Sequence, residues 1–116
     1  MKNKVDIQGD KLIVAPQGLH KIWALKGQIT LPLSHVRGAT LDNGMLLEKR
    51  GLRLGGTAIG GYYAGTFVKA GEKVFYNANL KDQVVVITLR DEDYTSLVLG
   101  VENPRKLVDE INSQLT

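Results

Sequence analysis

Four basic residues near the middle of the chain are the side chains best suited to bind a ligand. They lie beside or within residues 51–65, a segment that holds six of the chain's 13 glycines. Arginine and lysine bind anions through charge-assisted hydrogen bonds, and a glycine-rich backbone can turn its N–H groups toward the same anion. We therefore predict an anion-binding site, to which we add the tyrosine that follows the glycines. The predicted site is Arg37, Lys49, Arg50, Arg53 and Tyr62.

These residues also have a plainer interpretation. Basic side chains beside a sheet are commonly solvated charges that keep strand edges from pairing. Glycine at this density is costly inside strands and helices, so the sequence predicts that residues 51–62 form an irregular loop, whether or not the loop binds a ligand. Tyr62 and Tyr63 follow it on extended chain, where neighbours face opposite ways, so one of the two would be exposed.

The sequence contains no recognisable catalytic set. His20 and His35 are the only histidines, and Ser34, beside His35, would face the opposite side of an extended chain. The glycine spacing in residues 51–57 approaches that of a phosphate-binding loop, but Thr57 stands where such a loop needs lysine. The chain has no cysteine. We predict no catalytic, cofactor-binding or metal-binding residues and expect a protein that is not an enzyme.

Length and composition indicate one folded domain, residues 1–116. With 43% hydrophobic and 23% charged residues, the chain can build a packed core. It has no apolar signal region and no membrane-length apolar run, so we expect a cytoplasmic protein without a transmembrane segment. The net charge of +3 is uneven: nine basic and four acidic residues in 1–58 give +5, whereas six and eight in 59–116 give −2. This charge could steer anions but does not make nucleic acid the expected partner.

Turn signals and β-branched runs predict many short strands. Gly9-Asp10 favours a tight hairpin turn, and Pro32 should bend the chain or mark an edge strand. The β-branched run Val84–Leu89 and residues 94–101, joined by an acidic turn, predict a central hairpin that buries both of its faces or most of one. Residues 20–25 are ambiguous between a strand and a helical turn, and we assign them to a strand.

The end of the chain has the period of a helix. Leu107, Val108 and Ile111 form an apolar stripe that Leu115 extends. Asn103 is the expected cap, with Pro104 in the first turn, where its missing N–H costs nothing. An isolated helix of about 12 residues is marginal in water, so this helix should close the core of the sheet.

Five segments carry a resemblance that covers nearly the whole chain. They are residues 31–39, 50–57, 64–67, 85–98 and 102–104. In their order the chain resembles bacterial pleckstrin-homology (PH)-like proteins. The resemblance implies a mainly β fold with one C-terminal helix: a PH-like barrel of two near-orthogonal antiparallel sheets, about seven strands, capped by the helix. The basic first hairpin that eukaryotic PH domains use to bind phosphoinositides is missing, because residues 8–11 offer one lysine.

Two functions from different classes agree with these features. The first is a non-enzymatic binding or assembly module that presents loops or an open strand edge to another protein or to copies of itself. The alternative is a small basic β-barrel that binds a polyanion, which could be nucleic acid, a phosphate-containing ligand or an anionic membrane surface. A salt titration of polyanion binding separates the two.

Overall fold

In the computed structural model, the described part of the chain forms nine strands and a C-terminal helix. The described residues are 3–17, 28–41, 52–59, 62–79 and 83–115, of which 52–59 and Lys69 are described by their backbone alone. The elements are β1 (Asn3–Gln8), β2 (Lys11–Pro16), β3 (Ile29–Pro32), a 3₁₀ turn (Leu33–His35), β4 (Val36–Leu41), β5 (Leu52–Ile59), β6 (Tyr62–Lys69), β7 (Glu72–Asn79), β8 (Val84–Leu89), β9 (Tyr94–Gly100) and α1 (Pro104–Gln114). None of the helices described is long and apolar enough to cross a bilayer. Residues 20–25, assigned above to a strand, lie outside the described residues.

The strands form two sheets. β1, β2 and β3 make a three-stranded antiparallel sheet, and the other six follow the order β4-β8-β9-β7-β6-β5. Neighbours in the larger sheet are antiparallel except β7 and β9, which are parallel. The predicted fold class, mainly β with two sheets and a C-terminal helix, is confirmed. The nine strands and the parallel pair differ from the roughly seven antiparallel strands that the PH-like resemblance implies.

In two of the hairpins, a tight turn connects the two strands. The β1–β2 turn is the predicted Gly9-Asp10, and Gly9 has the positive φ, 62°, that its position requires. The β6–β7 link is equally short, because Lys69 already pairs with Glu72. Ala70 and Gly71 form this two-residue turn, and both have positive φ, 55° and 80°.

The predicted hairpin of β8 and β9 lies at the centre of the core. Successive β8 residues face opposite sides of the sheet, and five of the six are buried. Val85, Ile87 and Leu89 pack in the main core, which β2, β3 and α1 complete. Val84 and Val86 pack in a second cluster with Phe67, Tyr76, Ala78 and Val98. Of the two predicted arrangements, burial of both faces or of most of one, the strand shows the first.

Helix α1 packs against β4 and β8, as the apolar stripe predicts. Leu107 and Ile111 are buried, and Ile111 is fully so. Asn103 occupies the N-cap position but makes no side-chain cap bond. Its carbonyl oxygen instead accepts a hydrogen bond from the Leu107 N–H at 3.1 Å. The helix therefore closes the main core without a side-chain cap at Asn103.

The glycine-rich segment departs most clearly from the sequence-based expectation. Residues 52–59 form strand β5 and Tyr62 begins β6, so the prediction of an irregular loop over 51–62 is wrong for these residues. Residues 51, 60 and 61 lie outside the described residues. β5 pairs with β6 from Leu52 opposite Val68 to Ile59 opposite Tyr62, with a β-bulge between Arg53 and Gly55. The ladder of main-chain hydrogen bonds offsets the conformational entropy that glycine loses in a strand.

Candidate binding site

The strands that carry two of the predicted cations lie at opposite edges of the six-stranded sheet. Arg37 is exposed on β4, and Arg53 belongs to β5. Five interstrand steps separate β4 from β5, which is about 24 Å along the sheet at the usual strand spacing. The sheet order therefore does not join Arg37 and Arg53 in one cluster. Lys49 and Arg50, predicted for the same site, lie outside the described residues.

Tyr62 lies in the core and not on an exposed surface. The residue is 7% exposed, and its hydroxyl donates a hydrogen bond to Oδ1 of Asn77 at 2.5 Å. Tyr63, its neighbour, is half-buried. The prediction that Tyr62 binds a ligand is at odds with this burial, because a ligand would have to displace core packing to reach the ring.

Asn77 belongs to a buried pair of amides that links the two sheets. Nδ2 of Asn77 donates to Oδ1 of Asn3 at 2.8 Å. Nδ2 of Asn3 donates to the carbonyl oxygens of Asn77 and Gly100, at 2.9 and 2.8 Å. These bonds fix the start of β1 against β7 and the end of β9. Asn77 could have been found from the sequence, because it stands two residues after Phe75 and alternation places both on one face.

The outer edge of β4 is blocked by the C-terminal helix. The amide of Asn112 on α1 bonds both main-chain groups of Ala39: the Ala39 N–H donates to Oδ1 at 3.0 Å, and Nδ2 donates to the Ala39 carbonyl at 2.8 Å. An amide side chain here takes the place that a further strand would occupy. Covering an edge in this way is a common protection against strand addition.

The three-stranded sheet also has protected edges. β3 is only four residues long and ends at Pro32, which has no N–H to offer a partner strand. β1 carries Lys4 and Asp6, and charged side chains discourage edge pairing. The outer strands β1, β3 and β4 therefore each have a recognisable protective feature.

The outer edge of β5 has the weakest protection among the described strands. β5 is eight residues long, contains no proline, and has Arg53 as its single charged residue. The β-bulge lies next to Arg53, so residues 55–59 continue in regular register with β6. Within the described part of the chain, β6 is the one strand that pairs with β5. A regular row of main-chain N–H and C=O groups at such an edge can accept another strand.

The side chain of His35 is bound to a carboxylate in the turn between β8 and β9. Nδ1 of His35 donates to Oε2 of Glu92 at 2.5 Å. Nearby, the Leu33 N–H donates to the Asp10 carbonyl and the Arg90 N–H to the His35 carbonyl. These bonds tie the 3₁₀ turn to the β1–β2 and β8–β9 turns. Among the described residues there is no cluster of three or more potential metal ligands.

Comparison with protein-family models, curated proteins and solved structures finds no match to this chain. The PH-like relationship therefore stays a prediction from the sequence.

Proposed function

We propose that this chain is a non-enzymatic assembly module that pairs with a second copy of itself through the outer edge of β5. The observation that carries the proposal is the contrast between the edges: β4 is covered by Asn112, β3 is short and ends in proline, β1 is charged, and β5 has a regular, uncharged stretch at residues 55–59. Natural sheets commonly protect their outer strands, so an edge that none of the described residues protects indicates an interface.

The occupant of this edge is a second copy of the chain, because the main-chain N–H and C=O groups of two identical strands can pair with each other. Two β5 strands related by a two-fold axis pair antiparallel, with the same surface contributed by both chains. A register centred within residues 55–59 places the two Arg53 residues at opposite ends of the interface, so like charges do not meet. Main-chain hydrogen bonds contribute roughly 0.5–1.5 kcal/mol each, a modest sum beside the cost of association. We therefore expect a weak, concentration-dependent dimer.

The PH-like fold is part of the same proposal. It is supported by the mainly β scaffold and by a C-terminal helix that closes the main core, whereas the parallel β7–β9 pair would be a departure from the usual strand order. The assembly role does not depend on that relationship. Binding of a polyanion is less favoured, since the strands of Arg37 and Arg53 lie at opposite edges of the sheet.

Sedimentation velocity and light scattering over a concentration series test the proposal. The wild-type chain should move from 12.7 kDa toward twice that mass as its concentration rises. Ala58→Lys places a charge within the regular part of β5, opposite the half-buried Tyr63, and should keep the protein monomeric.

The matched control is Thr40→Lys on the opposite outer strand. Thr40 is exposed on β4, next to the residue that Asn112 covers, so this variant should dimerise like the wild type. A wild-type protein that stays monomeric at millimolar concentration would refute the proposal, and so would equal loss of dimer in both variants. Dimerisation abolished by added salt alone would indicate charge-driven association instead.

A further inference from the structure

A cavity lies between the start of β1, the end of β9 and the first turns of α1. Its volume is about 380 Å³, within the roughly 300–1,000 Å³ typical of sites for small organic molecules. The base includes the buried Asn3 and Leu107 and the half-buried Val5 and Val101. A ligand there would therefore meet mainly aliphatic side chains at depth.

The rim of this cavity carries charges of both signs. Glu102, Lys106 and Glu110 are exposed and line it, as does Lys4. Lys4 makes a long contact of 4.0 Å with Asp6. Among the described residues, Glu102, Lys106 and Glu110 form no ion pair with one another or with other side chains. The rim thus offers both an ammonium group and carboxylates to an incoming molecule.

The side-chain amide of Asn3, at the base of the cavity, already makes its hydrogen bonds within the protein. Both Nδ2 protons of Asn3 are donated to main-chain carbonyls, and its Oδ1 accepts from Asn77. Recognition of a ligand's polar groups therefore depends on the charged rim and on the two other polar lining residues, Gln17 and Asn103. A matching molecule has an apolar body for the base, one carboxylate for a lysine, and one ammonium group for the glutamates.

We propose that this cavity binds a short apolar peptide with free, charged termini. The volume exceeds what a single small amino acid needs, and the charge pattern matches a zwitterion rather than a simple anion or cation. This site lies at the α1 end of β1 and shares no residue with the β5 edge, so it stands independently of the assembly role.

An NMR titration of the ¹⁵N-labelled protein with leucyl-leucine tests the site directly. We expect saturable shifts centred on residues 3–5 and 101–110. N-acetylation or C-amidation of the peptide should each weaken binding roughly twofold to fivefold, the range expected for exposed ion pairs. No saturable shift, shifts centred elsewhere, or equal affinity for the blocked and free peptides would overturn the proposal.

Charge-removing variants identify the groups that recognise each end of the peptide. Lys106→Gln should weaken leucyl-leucine but leave its C-amide unaffected, with the adjacent exposed Arg105→Gln as control. Glu102→Gln combined with Glu110→Gln should weaken leucyl-leucine but not its N-acetyl form. Its control is Glu72→Gln with Asp109→Asn, which removes two exposed carboxylates outside the lining. If a control variant loses as much affinity as its test variant, the peptide responds only to the overall charge of the protein, and the proposed site is refuted.

Discussion

Replacing Asn112 tests whether α1 protects the β4 edge. Asn112→Ala removes two hydrogen bonds to Ala39, of 3.0 and 2.8 Å. Each contributes about 1 kcal/mol net, so their loss costs about 2 kcal/mol. Alanine is the better helix former by about 0.6 kcal/mol, which leaves a net destabilisation of about 1.4 kcal/mol. For a domain of this size, that corresponds to a fall in Tm of about 5 °C.

Ser113→Ala provides the matched control one residue further along the helix. Ser113 is exposed, and its hydroxyl donates to the Glu110 carbonyl within α1, so the gain in helix propensity is similar while the bonds to β4 are kept. Urea denaturation of both variants isolates the contribution of the bonds to Ala39. If the free energies of unfolding of the two variants agree within about 0.3 kcal/mol, the two bonds do not hold the edge. Sedimentation should also reveal self-association of Asn112→Ala if the covered edge becomes available.

Two further predictions concern the core and a turn. Ile111→Ala should lower the free energy of unfolding by roughly 2–4 kcal/mol, because Ile111 is fully buried under α1; a loss below about 0.5 kcal/mol in urea melts would show that the helix is not docked. Ala70→Gly should raise stability by about 1 kcal/mol, because Ala70 has a φ of 55° that costs an L-residue energy, whereas Gly71→Ala, at a φ of 80°, should lower it. Thermal melts giving both changes the same sign would contradict the turn geometry.

Local patterns were sufficient to predict several elements. Apolar residues recur at helical spacing around Leu107 and Ile111 and form a continuous run in β8. In both elements this spacing follows from which faces of the element are buried. Gly9-Asp10 also predicts its turn correctly, because few residues tolerate the backbone conformation of a two-residue hairpin turn. In each case the physical cause acts over a few neighbouring residues.

The glycine segment and the basic cluster required information that is not local. Glycine in residues 52–59 signals a loop through its own conformational entropy, but pairing with β6 outweighs that cost. The predicted site includes both Arg37 and Arg53, which lie 16 positions apart along the chain. Their separation in space is decided by the strand order of the sheet. The parallel contact of β7 with β9 likewise depends on a long-range choice of partner that no local periodicity encodes.

The buried amides connect the architecture to the proposed peptide site. Asn3 is 1% exposed, and leaving its amide without partners would cost on the order of 1–3 kcal/mol. The start of β1 is therefore held where Asn77 and Gly100 can bond it, and that position sets one wall of the cavity beside α1. A wall fixed by the core does not have to be ordered when a ligand arrives, so little of the binding energy is lost to ordering it. The cavity is thus a consequence of how the two sheets are joined, which is why neither its residues nor its charges form a contiguous motif in the sequence.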